Sequence, residues 1–273
     1  MSRQKTLADM DQYVVKANDL IRRTRYSLTA QQQKIILFAI SKIKPEDDIR
    51  TEYTFNINEL ANACGMRIRD GGSYYTRLKA DLKLLAEPTW VPMINEENKN
   101  VIRMISWINS DAEINERDST VKISFNKHLQ PYLFELHEQY TQYRLQNVLV
   151  FKGKYTIRLY ELMRSYTTQS AIDNDIEKDV LIALKDLKAL LDIDVYDRWV
   201  DFNRNVLKPA IMEINKNAGD IHVEYEPMGG GHGRTIERIN FIITRARAGQ
   251  QLEAKRARRA MLDHNGTGGG AKK

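Results

Sequence analysis

In the run YDRWVDFNRNVLKPAIMEIN (residues 196–215), Trp199, Phe202, Val206, Ala210 and Ile214 fall on one stripe at helical spacing, and Leu207 and Ile211 widen it. The opposite face then carries Arg198, Asp201, Arg204, Asn205 and Lys208. Arginine and asparagine have the paired donors and acceptors that match guanine and adenine edges in a DNA major groove. Grouped near the start of a helix, they sit where base readout needs them. Asp201 repels phosphate, but it can orient a neighbouring arginine or accept from cytosine. Pro209 removes a helical N–H and is expected to kink the helix, at roughly 3 kcal/mol.

A second run, SYYTRLKADLKLLAE (residues 73–87), has the same character. Tyr75, Leu78, Leu82 and Leu85 make its predicted core stripe, with Lys79 near the core edge. Ser73, Thr76, Arg77 and Ala80 face outward, small or polar enough for close approach to bases, and Arg77 can reach guanine or phosphate. Arg67 and Arg69, in the turn before it, suit phosphate contacts. An ordinary solvated surface is the competing reading of this face. Near the end of the chain, Gly229, Gly230, Gly231 and Gly233 form a flexible tip flanked by Arg234 and Arg238. That tip is either a wing lying along DNA or a plain hairpin loop. The stretch QLEAKRARRAM is either a basic helix adding nonspecific affinity or a solvated tail, and NGTGGGAKK is expected to be disordered.

Catalysis would need other residues. A rolling-circle initiator requires paired histidines for its metal and a nucleophilic tyrosine, yet the five histidines (128, 137, 222, 232 and 264) are scattered. No Walker motif, His-Glu-x-x-His or Gly-x-Ser-x-Gly elbow occurs. Asp173/Asp175 and Asp192/Asp194 lie in polar turns. Cys64 is the only cysteine, which forbids an intrachain disulfide and reads as a small buried hydrophobe. The expectation is no enzyme, no cofactor and no metal. The 42% hydrophobic and 29% charged composition is that of a globular chain, and no run of 18 apolar residues exists to span a membrane. The charged N-terminus is unlike a signal peptide, so a cytoplasmic location is expected. A net charge of +6 permits nucleic-acid binding without establishing it.

These faces need helices and strands to position them. A helix is predicted after Thr29 through AQQQKIILFAISKI, a strand over 51–57, and a short helix capped by Asn58. The helix of residues 73–87 follows, then three strand candidates, WVPMI, VIRMISWIN and STVKISF. The second half repeats this order, from the helix KYTIRLYELMRSY to the strands IHVEYEP and ERINFIITR. Ile57 falls opposite Leu184 and Met66 opposite Ile193, an offset of 127 in both cases. A helix-turn-helix followed by a wing, present twice, is therefore predicted, in the α+β class. The expected layout is an N-terminal arm (1–26), a first winged-helix domain (27–136), a second (137–247) and a basic tail (248–273). HEQYTQYRLQN would join the domains, as a helical linker in one reading.

The chain resembles the plasmid replication initiators that bind iterons through two winged-helix domains. The most specific stretch is YDRWVDFNRNVLKPAIMEINKNAG, followed by the glycine-rich turn and INFIITR. LTAQQQKIILFAI and YTFNINELANACGM look like the family's first domain, and KYTIRLYELM like the opening helix of its second; the resemblance covers roughly residues 20–245. It implies binding to directly repeated origin sites, chiefly through the second domain, opening of adjacent AT-rich DNA, and recruitment of host replication proteins such as a helicase and host initiator, with chaperones as further partners. It also implies homodimers that repress their own promoter at an inverted repeat. Arg198 and Arg204 would be the base readers, with Asn205 and Lys208 beside them. Family members often carry a richer basic run where this chain has Asn203-Arg204-Asn205, which implies a different target or fewer phosphate contacts. Three other readings stay open: a winged-helix transcriptional repressor without origin function, a winged-helix protein-interaction scaffold, and an enzyme acting at DNA ends.

Overall fold

The computed structural model describes residues 13–65, 73–91, 103–229 and 235–247. β1 (Tyr13–Ala17) and α1 (Asn18–Arg22) lead into α2 (Ala30–Ile40). Thr29 starts α2 with a capping box: its hydroxyl accepts from the Gln32 N–H at 3.2 Å, and the Gln32 side chain accepts from the Thr29 N–H at 3.0 Å. β2 (Glu52–Asn56) alternates exposed and buried residues, with Tyr53 and Phe55 inward. α3 (Ile57–Ala63) follows directly. Its cap is Asn56, not Asn58: Asn56 Oδ1 accepts from the N–H groups of Asn58 and Glu59 at 2.9 and 3.3 Å. The strand ends one residue earlier than the sequence pattern indicates, and Asn58 is already inside the helix.

α4 (Ser73–Ala86) buries Tyr74, Leu78, Leu82 and Leu85. Tyr74 takes the core position predicted for Tyr75; a 3.6-residue period admits either from Leu78. Half-buried Tyr75 instead meets Ser119 Oγ at 3.2 Å. Next come β3 (Thr89–Val91), β4 (Arg103–Ile105), β5 (Glu113–Asn115) and β6 (Thr120–Ser124). β3 pairs with β4, and the domain's main sheet has the order β2-β6-β5. β5 is three residues long, too short to announce itself by alternation.

α5 (Gln130–Leu133), β7 (Tyr140–Arg144) and α6 (Gln146–Leu149) then lead to α7 (Lys154–Ser165). The segment that one reading made a helical linker therefore holds a strand, and β7 pairs antiparallel with β1, Tyr13 opposite Arg144. Residues 13–26, expected as part of an arm, belong to the core: Val14, Leu20 and Ile21 are buried there. Their alternating and helical apolar positions were hidden by flanking charges.

The second half runs α8 (Gln169–Asp173), β8 (Lys178–Ala183), α9 (Leu184–Leu190), α10 (Trp199–Phe202), a π-helical turn (Asn203–Leu207), α11 (Lys208–Asn217), β9 (Ile221–Gly229) and β10 (Ile236–Arg245). Its sheet has the order β8-β10-β9. In both halves the strand before the helix-turn-helix pairs with the last strand of the hairpin, β2 with β6 and β8 with β10. α3 and α9 are seven residues each and lie 127 positions apart at both ends (57 against 184, 63 against 190). These are two tandem winged-helix domains of mixed helix and sheet.

α7 lies between them, buried from Thr156 to Ser165. Three of its buried residues are charged, so each needs a partner. Glu161 meets Lys16 Nζ at 2.6 Å and accepts from the Tyr143 hydroxyl. Arg158 donates to Tyr26 Oη at 2.7 Å and to the Thr24 carbonyl at 2.9 Å, with its guanidinium 4.1 Å from the Tyr26 ring centre. Arg164 bridges the Gln142 carbonyl at 2.7 Å and Asp220 at 3.1 Å. Gly153 opens α7 where a Cβ would stand 2.5 Å from Thr156 Oγ1 and 3.1 Å from Glu213 Oε2, so no larger residue fits without displacement.

Removing one partner of a buried ion pair strands the other. Glu161→Ala is expected to cost about 3–5 kcal/mol in urea unfolding; a loss under about 1 kcal/mol would show that Lys16 finds water there. Burial also pushes the hydroxyls of Tyr26, Tyr143 and Tyr160 above their ordinary value of 10.0, and the Cys64 thiol from 9.0 up to about 12. These groups hold protons in the folded chain that the unfolded chain releases, so each loses stability as pH rises past its unfolded value. Burial lowers Lys16, despite the opposing pull of Glu161, so that group acts in the opposite sense, but only up to its unfolded value of 10.5. Thermal melts should therefore show the midpoint falling as pH climbs beyond 10.5; a midpoint that held steady would mean that the tyrosines ionise without unfolding.

Candidate nucleic-acid interface

The apolar stripe predicted for the helix of residues 199–217 is the one observed. Phe202, Val206, Leu207, Ala210, Ile211 and Ile214 are buried, and Trp199 is half-buried. Asn203 Oδ1 accepts from the Tyr225 hydroxyl at 2.6 Å, which ties the helix to wing strand β9. Asn215 exchanges two bonds of 2.8 Å with the backbone of Val223 on the same strand. Glu213 caps α7, accepting from the N–H groups of Lys152 and Gly153 at 2.6 and 3.1 Å. Lys188 Nζ donates to the Tyr196 carbonyl at 2.7 Å and holds the turn before the helix. The disturbance expected from Pro209 takes the form of the π-helical turn just upstream, inside a run that otherwise continues.

Arg198, Arg204, Asn205 and Lys208 are all exposed, and the structure brings the first three together around Asp201. The Asp201 carboxylate takes Arg198 at 2.7 Å on one oxygen and Arg204 at 3.1 Å on the other. The arginine side chains stay 79% and 70% exposed, whereas that of Asp201 is 19% exposed. Asp201 thus fixes two guanidinium planes while leaving their outer faces open to a ligand. Asn205 turns its amide back, donating to the Asp201 carbonyl at 2.9 Å. That bond uses one of the amide's two N–H donors. Val200, 64% exposed and one turn before Arg204, went unmarked in the sequence reading. Its signal was there: an apolar residue off the core stripe, fit to meet a thymine methyl.

Arg238 is exposed on β10, opposite Met228 across the hairpin. It shares a groove with Lys185, Lys188 and Glu237, none of them on the 199–217 helix. In the first domain Thr76 and Arg77 are exposed on α4 as expected. Lys79, placed nearer the core by sequence, is exposed and paired with Glu116 beside β5. Asp81 anchors α4 to α2 by accepting from Gln31 and Gln32. Ser73 is the first residue of α4, but its side chain, like all of Arg67, Arg69 and Arg234, lies outside the described residues, as do the glycines 230, 231 and 233, the first 12 residues and the tail from 248. Among the described residues no helix is long and apolar enough to cross a membrane, and no group of three or more His, Cys, Asp or Glu could hold a metal.

Two family models match this chain: the first winged-helix domain of the Initiator Replication protein family over residues 13–164, and the second winged-helix domain of the Initiator Rep protein over 183–243. The chain belongs to this family of replication initiators. The first match starts at β1 and ends within α7, so the family's first domain includes both the β1–β7 pair and most of the central helix. A replication initiation protein of Escherichia coli is 28% identical to this chain over 208 residues, 74% of this chain and 61% of that protein. The alignment thus spans about three-fifths of the relative's length. The crystal structure of the Pi initiator protein in complex with iteron DNA superposes with a TM-score of 0.68 at 19% identity, over 86% of this chain and 98% of that one. That likeness establishes the shared two-domain fold.

The Asp201 clamp is solvent-exposed on its arginine side, and exposed ion pairs contribute about 0–1 kcal/mol. Asp201→Ala is therefore expected to lower the unfolding free energy of the chain by no more than about 1 kcal/mol in urea titrations. A larger loss would make the clamp part of the packing.

Proposed function

We propose that this chain binds repeated double-stranded sites at a replication origin and thereby starts replication of the DNA that carries them. The second winged-helix domain is the main base reader and the first supplies further DNA contacts. The carrying observation is the exposed Arg198–Asp201–Arg204 cluster on the second helix of the helix-turn-helix, with Lys208 on the same helix. Family membership supports it, and so does the iteron DNA in the complex of the related fold. Arg198 and Arg204 are directed at guanines, Val200 at a thymine methyl and Lys208 at a phosphate. The activity is binding, with no reaction catalysed by the chain itself. Self-association, repression at an inverted repeat and contacts with host replication proteins belong to the same reading.

Selection from a random duplex library should enrich one repeat, and retitration across salt should give a log–log slope of about −0.9 for each phosphate neutralised. On that repeat Arg204→Ala is expected to lose about 1–3 kcal/mol and to relax one base position, whereas Lys208→Ala should weaken all sequences alike and reduce the salt slope by about 1. Wild-type affinity and selectivity in Arg204→Ala would remove the 199–217 helix from the base-reading role.

A further inference from the structure

The helix that carries Arg198 and Arg204 is interrupted by the π-helical turn Asn203–Leu207. The residue spacing itself calls for a wider turn. Phe202, Val206, Ala210 and Ile214 are all buried and stand four apart. On an ideal α-helix each step of four overshoots a full turn by about 40°. A wider turn absorbs part of that drift, so all four reach the same core. Pro209 acts in the same direction, since its ring crowds the Asn205 carbonyl four residues back. The turn is pinned from inside by buried Val206 and Leu207, and from the wing by the Tyr225 hydroxyl, which donates to Asn203 Oδ1 at 2.6 Å.

A π turn redistributes main-chain hydrogen bonds. Its N–H groups reach five residues back instead of four, and that of Lys208 goes to the Asn203 carbonyl. In an α-helix it would have gone to Arg204. The residue five beyond Arg204 is Pro209, which has no N–H. The Arg204 carbonyl thus has neither an α-helical nor a π-helical donor. A helical carbonyl points along the axis toward the residues four ahead. Lys208 and Pro209 are exposed there, as are Arg204 and Asn205. The oxygen therefore opens on the face that carries the two arginines, not into the core. A main-chain acceptor in that position takes its donor from water or from a ligand.

We infer that the Arg204 carbonyl is a main-chain base reader, accepting a hydrogen bond from the exocyclic amino group of an adenine or a cytosine in the major groove; this rests on the base-reading role proposed above for the helix. The chemistry complements that of its neighbours. Arginine side chains only donate, and so select the acceptors of guanine. Every base pair also shows one amino donor in the major groove, from adenine or from cytosine, and reading it takes an acceptor. On this face the Asp201 carboxylate is engaged by Arg198 and Arg204, which leaves Asn205 Oδ1 as the rival side-chain acceptor. A carbonyl fixed by the main chain gives up no side-chain freedom on binding. Because it belongs to Arg204, the base it reads lies next to the one read by the Arg204 side chain.

The test uses the full chain and the repeat recovered by selection, with single amino groups deleted: purine in place of adenine, 2-pyrimidinone in place of cytosine. One deletion next to the base position that Arg204→Ala relaxes should weaken wild-type binding by about fivefold, the worth of one hydrogen bond. Asn205→Ala and Asp201→Ala remove the side-chain acceptors of the face. Each should bind the intact repeat more weakly and still show the same fivefold ratio between intact and deleted sites, since the main chain holds the carbonyl in place. Loss of that ratio in either variant would assign the amino group to a side chain and overturn the inference. Undiminished wild-type affinity at every deleted position beside the Arg204 contact would overturn it as well. Failure of the base-reading proposal is distinguishable: selection then enriches no repeat, or Arg204→Ala leaves selectivity unchanged, before any amino group is deleted, and the carbonyl's role falls with it.

Discussion

Glu161, Arg158 and Arg164 are charged residues on a helix with almost no access to water, and that constraint organises the molecule. An unpaired charge in such a place is untenable, so each has recruited partners. The partners come from far along the chain: Lys16 from β1, Tyr26 from the segment after α1, Tyr143 and the Gln142 carbonyl from β7, and Asp220 from the turn before β9. α7 can be buried only if all of these elements close around it. A hydrophobic helix would have accepted many packings, whereas these pairs accept few.

The same helix explains how two similar domains become one body. Its N-terminus is capped by Glu213 from α11 and meets α2, where Gln33 donates to the Lys154 carbonyl at 3.1 Å, while Lys34 donates to the Leu149 carbonyl at the end of α6 at 2.6 Å. Arg25, between α1 and α2, donates to the Ala189 carbonyl of α9 at 2.8 Å. The apolar core is correspondingly continuous from Val14 to Ile243. A duplicated fold of this kind has the second helices of its two helix-turn-helix units at a fixed spacing, which two modules on a flexible tether would not have.

The local parts of this arrangement were legible and the non-local parts were not. The Thr29 cap, the stripe from Phe202 to Ile214, and the repeat that sets Ile57 opposite Leu184 follow from neighbours within a few residues or from self-similarity. The β1–β7 pairing joins positions about 130 apart, and nothing near Tyr13 announces Arg144. YTQYR has the period of a strand, but a short polar segment between two domains reads as a linker until its partner is known. Arg158 and Arg164 look like the solvated side of an amphipathic helix. Their burial depends on acceptors that only the fold delivers. At the site, the residue types on the open face were readable, whereas the Asn205 back-bond and the double engagement of Asp201 needed coordinates.

Asp201 makes the chemical choice at this surface visible. A carboxylate set among arginines weakens the local attraction for phosphate, which supplies most sequence-independent affinity. A chain built only to hold DNA would gain by replacing it. What the carboxylate supplies is direction: two long, flexible side chains lose rotamer freedom before any ligand binds, so less is lost when they meet one. Its reach is short, since only its i±3 neighbours Arg198 and Arg204 are engaged, and Lys208 remains outside the clamp. The face is thereby divided into a part with fixed geometry and a part with free charge, and on the proposed function that is the division between reading a sequence and gripping a backbone.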